Sequence, residues 1–259
     1  SMSTSTIANK MARGTVASKT VTITEGMNVR EIAHTFEFHG IIQAEEFTEL
    51  MGLPGVDYRR EKDAPTPVDL TASFSLLKTK PLYVSFEGYL FPDTYKIPIG
   101  SSAQDIANQM LSNLDSKITE EIEAEIKKQN KSLFEVLTIA SLLEKEVQTL
   151  EDKKMVADVI RKRLEIGMAL QIDASVSYVT HKQTVLVTKE DTKTDSLYNT
   201  YQYPGLPLGP ISNPGIESIV AALEPIKNPY YYYLSTPEGE TIFSETLEEH
   251  NIAKLTYLR

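Results

Sequence analysis

Between Tyr203 and Gly215 the chain reads YPGLPLGPISNPG, four prolines and three glycines among hydrophobic rather than Ser-rich neighbours. No helix or central strand runs through such a block, because proline removes a backbone donor and glycine adds backbone freedom. The elements on either side must therefore form separately and meet around it. An ordinary linker is the bland reading. The apolar neighbours favour a rigid loop, since proline lowers the entropy lost on ordering, and rigid loops place ligand groups well. Directly before it stand Tyr198, Asn199, Thr200 and Tyr201. They offer aromatic faces with amide and hydroxyl hydrogen bonds suited to a sugar polymer, although such residues are equally common at turns and core edges. Asn213 suits the cap of a helix starting at Pro214.

The second constraint lies in LTIASLLEKEVQ, residues 137–148. At roughly 100° per residue, Leu133, Val136, Leu137, Ala140, Leu143 and Val147 form one apolar arc with Glu144 inside it. Glu135, Thr138, Lys145 and Glu146 fall on the other side and are expected in solvent. A carboxylate carried inward is costly unless paired, and partial burial raises a carboxyl pKa toward the range a general acid needs. A Glu of pKa about 4.3 is protonated about once in 500 molecules at pH 7, one of pKa about 6 about once in ten. Glu144 is thus the candidate general acid. The bland alternative is a carboxylate at the edge of the arc that reaches water or a basic neighbour.

Composition removes several function classes. The formal net charge is −10 and no Lys/Arg-rich block occurs, which argues against a nucleic-acid partner held by phosphate neutralisation. The absence of cysteine excludes disulfides, thiolate metal sites and a Cys nucleophile. His34, His39, His181 and His250 are scattered without metal-ligand spacing, so no metal is expected. No run of about 18 apolar residues spans a membrane.

Along the chain, residues 1–19 read as a flexible lead-in. Residues 20–80 hold a strand, a turn at Gly26, two amphipathic helices, the first capped by Thr24 and ended by Gly40, and a connection with a small helix near DLTASFSLL. Residues 81–259 form the larger part. They give an aromatic extended segment, a helix from Ser101–Ser102, helices near 116–129, 132–149 and 151–166, and strand-like pieces at 175–180 and 183–188. After the Pro/Gly block come a helix and a closing strand, turn at Glu238–Gly239, strand and helix. The class is α+β, a small strand–helix module followed by a larger mixed α+β domain. In a strand, the YYYY run at 230–233 alternates sides, two rings to the core and two outward. Gln171 and Asp173 lie between a helix and a strand, where Asp often only caps or turns.

Five segments together, EGYLFPDTY (87–95), IASLLEKEV (139–147), RLEIGMALQIDASVSY (163–178), DSLYNTYQYPGLPLGPISNPG (195–215) and FSETLEEHN (243–251), resemble the endolytic murein transglycosylases of the MltG (YceG-like) family. The amino-terminal module resembles the LysM-like subdomain of that family. Two positions depart from the common pattern, Ala174 and Leu197, each where proline is usual; both affect loop stiffness rather than a reactive group.

The resemblance implies a lytic enzyme at the extracytoplasmic face of the cell membrane. It would be tethered by an amino-terminal membrane helix ahead of this chain and would act on peptidoglycan glycan strands beside peptidoglycan synthases, without a cofactor. The bond from N-acetylmuramic acid to N-acetylglucosamine breaks with closure of a 1,6-anhydro ring. The family's catalytic glutamate is matched to the first Glu of LLEKEV, Glu144, acting as acid and then as base, with Gln171, Asp173, Tyr198, Asn199, Thr200, Tyr201 and Asn213 expected along the glycan groove. Three rival readings stand beside it. One is a muramidase-type hydrolase using Asp173 as second carboxylate. Another is a non-catalytic glycan-binding protein. The third is a pyridoxal-phosphate lyase on Lys145, disfavoured by the solvent-facing position expected for that lysine and by the lack of a phosphate loop.

Overall fold

The computed structural model describes residues 17–181 and 187–258. The expected lead-in lies almost wholly outside the described residues. Among them the chain is α+β, with nine α-helices and two antiparallel two-stranded sheets. Strand β1 (Ser18–Thr22) pairs with β2 (Thr94–Pro98), Lys19 opposite Ile97 and Val21 opposite Tyr95. Val21, Tyr95 and Ile97 are buried while their neighbours face water, the alternation of a sheet with one covered face. The first strand thus takes its partner from beyond residue 80, and the apolar core is continuous on both sides of that position.

Helix α1 (Val29–Phe38) starts later than expected. Its cap is Asn28, in a reciprocal capping box with Glu31, while Thr24 precedes the turn that Gly26 makes at positive φ. After α2 (Ala44–Met51) and a single-turn helix at Ser75–Thr79, α3 (Ala103–Lys117) starts from Ser102 as expected. The helix expected near 116–129 is α4 (Glu120–Lys128), capped by Thr119.

The central helix α5 (Leu133–Glu146) begins with a Ser132–Glu135 capping box. It is enclosed on nearly every side: besides the expected arc, Thr138, Ile139 and Leu142 are buried. Thr138, expected in solvent, satisfies its hydroxyl on the Phe134 carbonyl at 2.7 Å. Helices α6 (Leu150–Glu165) and α8 (Ile216–Leu223) pack against α5 and each other.

Between them, residues expected as a strand at 175–180 form helix α7 (Asp173–Thr180). The β-branched Val176, Val179 and Thr180 suggest a strand. Packing decides otherwise: Ser175, Val176 and Tyr178 are buried, and the Ser175 hydroxyl bonds the Ile172 carbonyl at 2.7 Å. Most of the second expected strand, 183–188, lies outside the described residues.

Helix α8 starts at Ile216 with Gly215 in the cap position, because the Asn213 side chain is engaged elsewhere. The hairpin of β3 (Tyr232–Ser235) and β4 (Thr241–Ser244) and the closing helix α9 (Leu247–Tyr257) are as expected. The four tyrosines do not divide into two inward and two outward rings; all are half-buried. Tyr230 stacks on Phe243 and Tyr232 on His250. Tyr231 lies beneath the Lys162 ammonium, and Tyr233 reaches the end of α5.

Candidate active site

The last turn of α5 presents two carboxyl groups in opposite directions, since residues two apart are turned by about 200°. Glu144 points inward, as the apolar arc requires, with its side chain 9% exposed. Its Oε1 accepts from Lys153 Nζ on α6 at 3.2 Å. Its Oε2 accepts from the Gly215 N–H at 3.0 Å and from Ser218 Oγ at 2.6 Å. Both oxygens are thus taken, one by a buried ammonium. A cleft of about 630 Å³ opens beside this cluster, lined among others by Glu25, Asp93, Glu144, Lys153 and Glu217. Burial, and then the charge of Glu144, push the Glu25 carboxyl upward from its ordinary value.

Glu146, expected in solvent, is half-buried instead. It accepts from the Tyr233 hydroxyl at 2.9 Å and from the Ala174 backbone N–H. Its pKa is pushed up to about 7: loss of water around the carboxylate dominates and the nearby negative Asp173 adds to it, against Tyr233, the Ala174 N–H and the Arg163 charge. Ser235 Oγ donates to the Glu146 carbonyl at 3.1 Å, fixing the helix end against the hairpin. Arg163 is buried, donating to the Leu170 carbonyl at 2.5 Å and the Tyr231 carbonyl at 2.7 Å.

Beside Glu146 lies an exposed rim. Asp173 opens α7 and accepts from the Tyr201 hydroxyl at 2.5 Å; Gln171 is exposed and held at a φ of 52°. A non-glycine residue in that region costs about a kcal/mol or more and persists only where its surroundings impose it. Here the Gln171 N–H bonds the Thr200 carbonyl at 3.2 Å.

The structure separates the expected groove residues into two groups. Asp173 and Tyr201 lie near Glu146, and Gln171 is exposed two residues before Asp173. Tyr198, Asn199, Thr200 and Asn213 are buried, and the side chains of Asn199, Thr200 and Asn213 are bonded to protein. Tyr198 packs on Tyr178, with ring centroids 5.1 Å apart. Asn199 donates to the carbonyls of Thr192 and Thr194, and Thr200 Oγ1 accepts from the Ile172 N–H at 2.9 Å. Asn213 accepts from the Leu90 N–H at 2.9 Å and donates to the Met27 carbonyl and to Glu87. Lys145 is exposed, as expected, and donates to the Gly26 carbonyl at 3.3 Å.

Sequence reasoning passed over Glu146, Tyr233 and Arg163. The signal for Glu146 was present in Ile139 and Leu142, which lie on its own side of α5, seven and four residues before it. Apolar residues on both sides mark an enclosed helix, not an amphipathic one.

A model of the YceG-like family matches residues 1–255. The chain belongs to the YceG-like family. The YceG-like chain is 42% identical over 173 residues to the endolytic murein transglycosylase of Bacillus subtilis (strain 168), covering 66% of this chain and 48% of the relative. To that of Streptococcus pneumoniae serotype 2 (strain D39 / NCTC 7466) it is 31% identical over 248 residues, 90% of this chain and 43% of the relative. It therefore spans less than half the length of these curated relatives. The crystal structure of a YceG-like protein from Listeria monocytogenes matches with a TM-score of 0.76 and 36% identity, over 98% of this chain and 82% of that one.

Proposed function

We propose that this YceG-like chain is the catalytic part of an endolytic peptidoglycan lytic transglycosylase, and that Glu146 rather than Glu144 is its acid and base. The observation that carries the assignment is the contrast between neighbouring carboxyl groups. Glu144 spends both oxygens on Lys153, Gly215 and Ser218. Glu146 stands beside an exposed polar rim with a pKa near 7, where the acid and base forms are both populated at neutral pH.

The reaction follows from one carboxyl group. Protonated Glu146 gives its proton to the glycosidic oxygen as the bond to the muramic C1 breaks, releasing N-acetylglucosamine as an alcohol. The muramic C6 hydroxyl attacks C1, its proton passes to the Glu146 carboxylate, and the starting acid is restored. A hydrolase needs a second carboxylate to activate water or to form a covalent intermediate. An internal hydroxyl removes that need and requires no second molecule to be positioned. Asp173, close enough for its charge to raise Glu146, favours the protonated form that starts the cycle. Gln171, Asp173 and Tyr201 are the side chains offered to the glycan. The names of the curated relatives support murein as substrate, with the wall side of the membrane as the place of action; an amino-terminal anchor and synthase partners extend the same reading.

Mass spectrometry of peptidoglycan treated with wild type, Glu146→Gln and Glu144→Gln tests it. Anhydro-muramyl ends from wild type and none from Glu146→Gln are expected. Reducing muramic ends would make the chain a hydrolase, and binding without cutting by every form would make it a glycan-binding module. Full activity of Glu146→Gln would return the acid role to Glu144.

A further inference from the structure

We infer that Glu144 is a positioning residue, the anchor by which the end of α5 is gripped so that Glu146 stays aimed at the substrate; this rests on Glu146 being the acid. Gly215, in the cap position of α8, has no side chain to cap the helix. The acceptor for its first donors comes instead from α5: Glu144 Oε2 receives the Gly215 N–H and the Ser218 hydroxyl, two groups of the α8 amino-terminal turn, where a negative charge is also favoured by the helix dipole. The other oxygen holds Lys153, whose side chain is 4% exposed and sits in the first turn of α6.

The amino-terminal module closes the grip from a third direction. A Cβ on Gly26 would lie 3.6 Å from Glu144 Cγ, so the β1–α1 turn packs directly on this side chain. The Gly26 N–H is fixed by the Asn213 carbonyl at 2.9 Å, in the same loop that supplies Gly215. At Gly215 a Cβ would fall 1.8 Å from Glu25 Oε1, so glycine is what lets the module's carboxylate lie over the start of α8.

Three elements thus converge on Glu144, two residues before Glu146 in one helical turn. Helix geometry makes the turn rigid, so a displacement of Glu144 is passed to Glu146 on the opposite side. Misplacement of a reacting group by about 1 Å costs on the order of 100-fold in rate. Unpairing Lys153 is costly too, because breaking a buried pair leaves the other charge uncompensated.

Steady-state kinetics and thermal unfolding of Glu144→Gln, Lys153→Met and the double variant test the inference, on glycan strands with analysis of anhydro ends. Glu144→Gln is expected to lower kcat by about 10- to 100-fold with KM little changed. The alkaline limb of its pH profile stays near 7, because Glu146 still supplies the proton. The double variant is expected to be no worse than either single one, since both remove the same contact. A lower Tm with unchanged kcat would reduce Glu144 to a stabilising residue and overturn the inference. Loss of the pH limb in Glu144→Gln would overturn it in the other direction. Activity in Glu146→Gln is a separate result that defeats the acid assignment beneath it. Should Glu144→Gln not fold, Ser218→Ala removes one donor only, and an unchanged kcat there would count equally against the grip.

Discussion

Two glutamates separated by one lysine have opposite surroundings, and the difference can be read as proton chemistry. Glu146 carries the larger consequence: if it must be protonated to start the reaction, kcat/KM should fall about tenfold per pH unit above its pKa, which is pushed up to about 7. Its neighbours should move that limb in opposite directions. The Asp173 charge raises Glu146, so Asp173→Asn should shift the limb to lower pH. The Tyr233 hydroxyl, donating at 2.9 Å, favours the carboxylate, so Tyr233→Phe should shift it to higher pH. Both follow from pH profiles of kcat/KM on one glycan substrate. A shift of the opposite sign, or none, in either variant would show that the residue does not act through Glu146 as its contact implies.

At the scale of elements, the Pro/Gly block is where expectation and structure agree most closely. It is ordered by packing: a Cβ on Gly88 would fall 2.6 Å from Pro210 Cγ, and Gly88 itself has a φ of +86°. Gly88→Ala therefore meets a steric and a conformational penalty at once, and a destabilisation of about 2–4 kcal/mol is expected in denaturant titration. A loss under about 0.5 kcal/mol, the range of ordinary surface changes, would mean that the block moves freely away from the EGYLFPDTY segment. The glycine and proline pattern made this contact region legible because such residues constrain the backbone locally. The end of Glu144 in the interior was legible for a similar reason, through the helical period. The enclosure of α5 on its second side was marked only by Ile139 and Leu142, and the period could not give which elements, arriving from distant sequence, supply it. Residues 173–180 show the same limit: β-branched composition favours a strand, and the bonds of Ser175 to Ile172 and Thr200 settle a helix. Asn213 illustrates it once more. Its place before Pro214 suits a cap, yet its side chain is drawn to Leu90, Met27 and Glu87.

Across the whole molecule, one buried carboxyl group is shared by the amino-terminal residues and the rest, beside the β1–β2 pairing and the continuous core. Glu87, 1% exposed, accepts from the Val29 N–H at the start of α1 at 3.1 Å, from the Tyr178 hydroxyl on α7 at 3.1 Å, and from Asn213 Nδ2 at 2.8 Å. These contacts favour the carboxylate, but loss of water outweighs them and pushes its pKa up to about 8. A group whose folded pKa lies above its unfolded value gives stability that is fully present below about 4.5 and is lost as pH rises through the folded value. Glu146 acts with the same sign through about 7. Lys80, buried and lowered to about 8, has the opposite sign, and its effect lies mainly above that value, where rising pH adds stability. His250, lowered to about 4 chiefly by burial, adds stability as pH rises to about 6.5 and opposes the two carboxyl groups there, so the unfolding free energy should decline chiefly between about pH 6.5 and 8, by an amount on the order of a few kcal/mol. Glu87→Gln isolates the larger contributor. It should be less stable than wild type at pH 5, where the amide sets a second donor against Asn213, and the gap should narrow toward pH 8 as wild type loses its proton. Thermal and urea unfolding of both proteins at matched ionic strength would measure this. A gap that stays constant across the range would mean that Glu87 is ionised throughout, held by its three donors in spite of its burial.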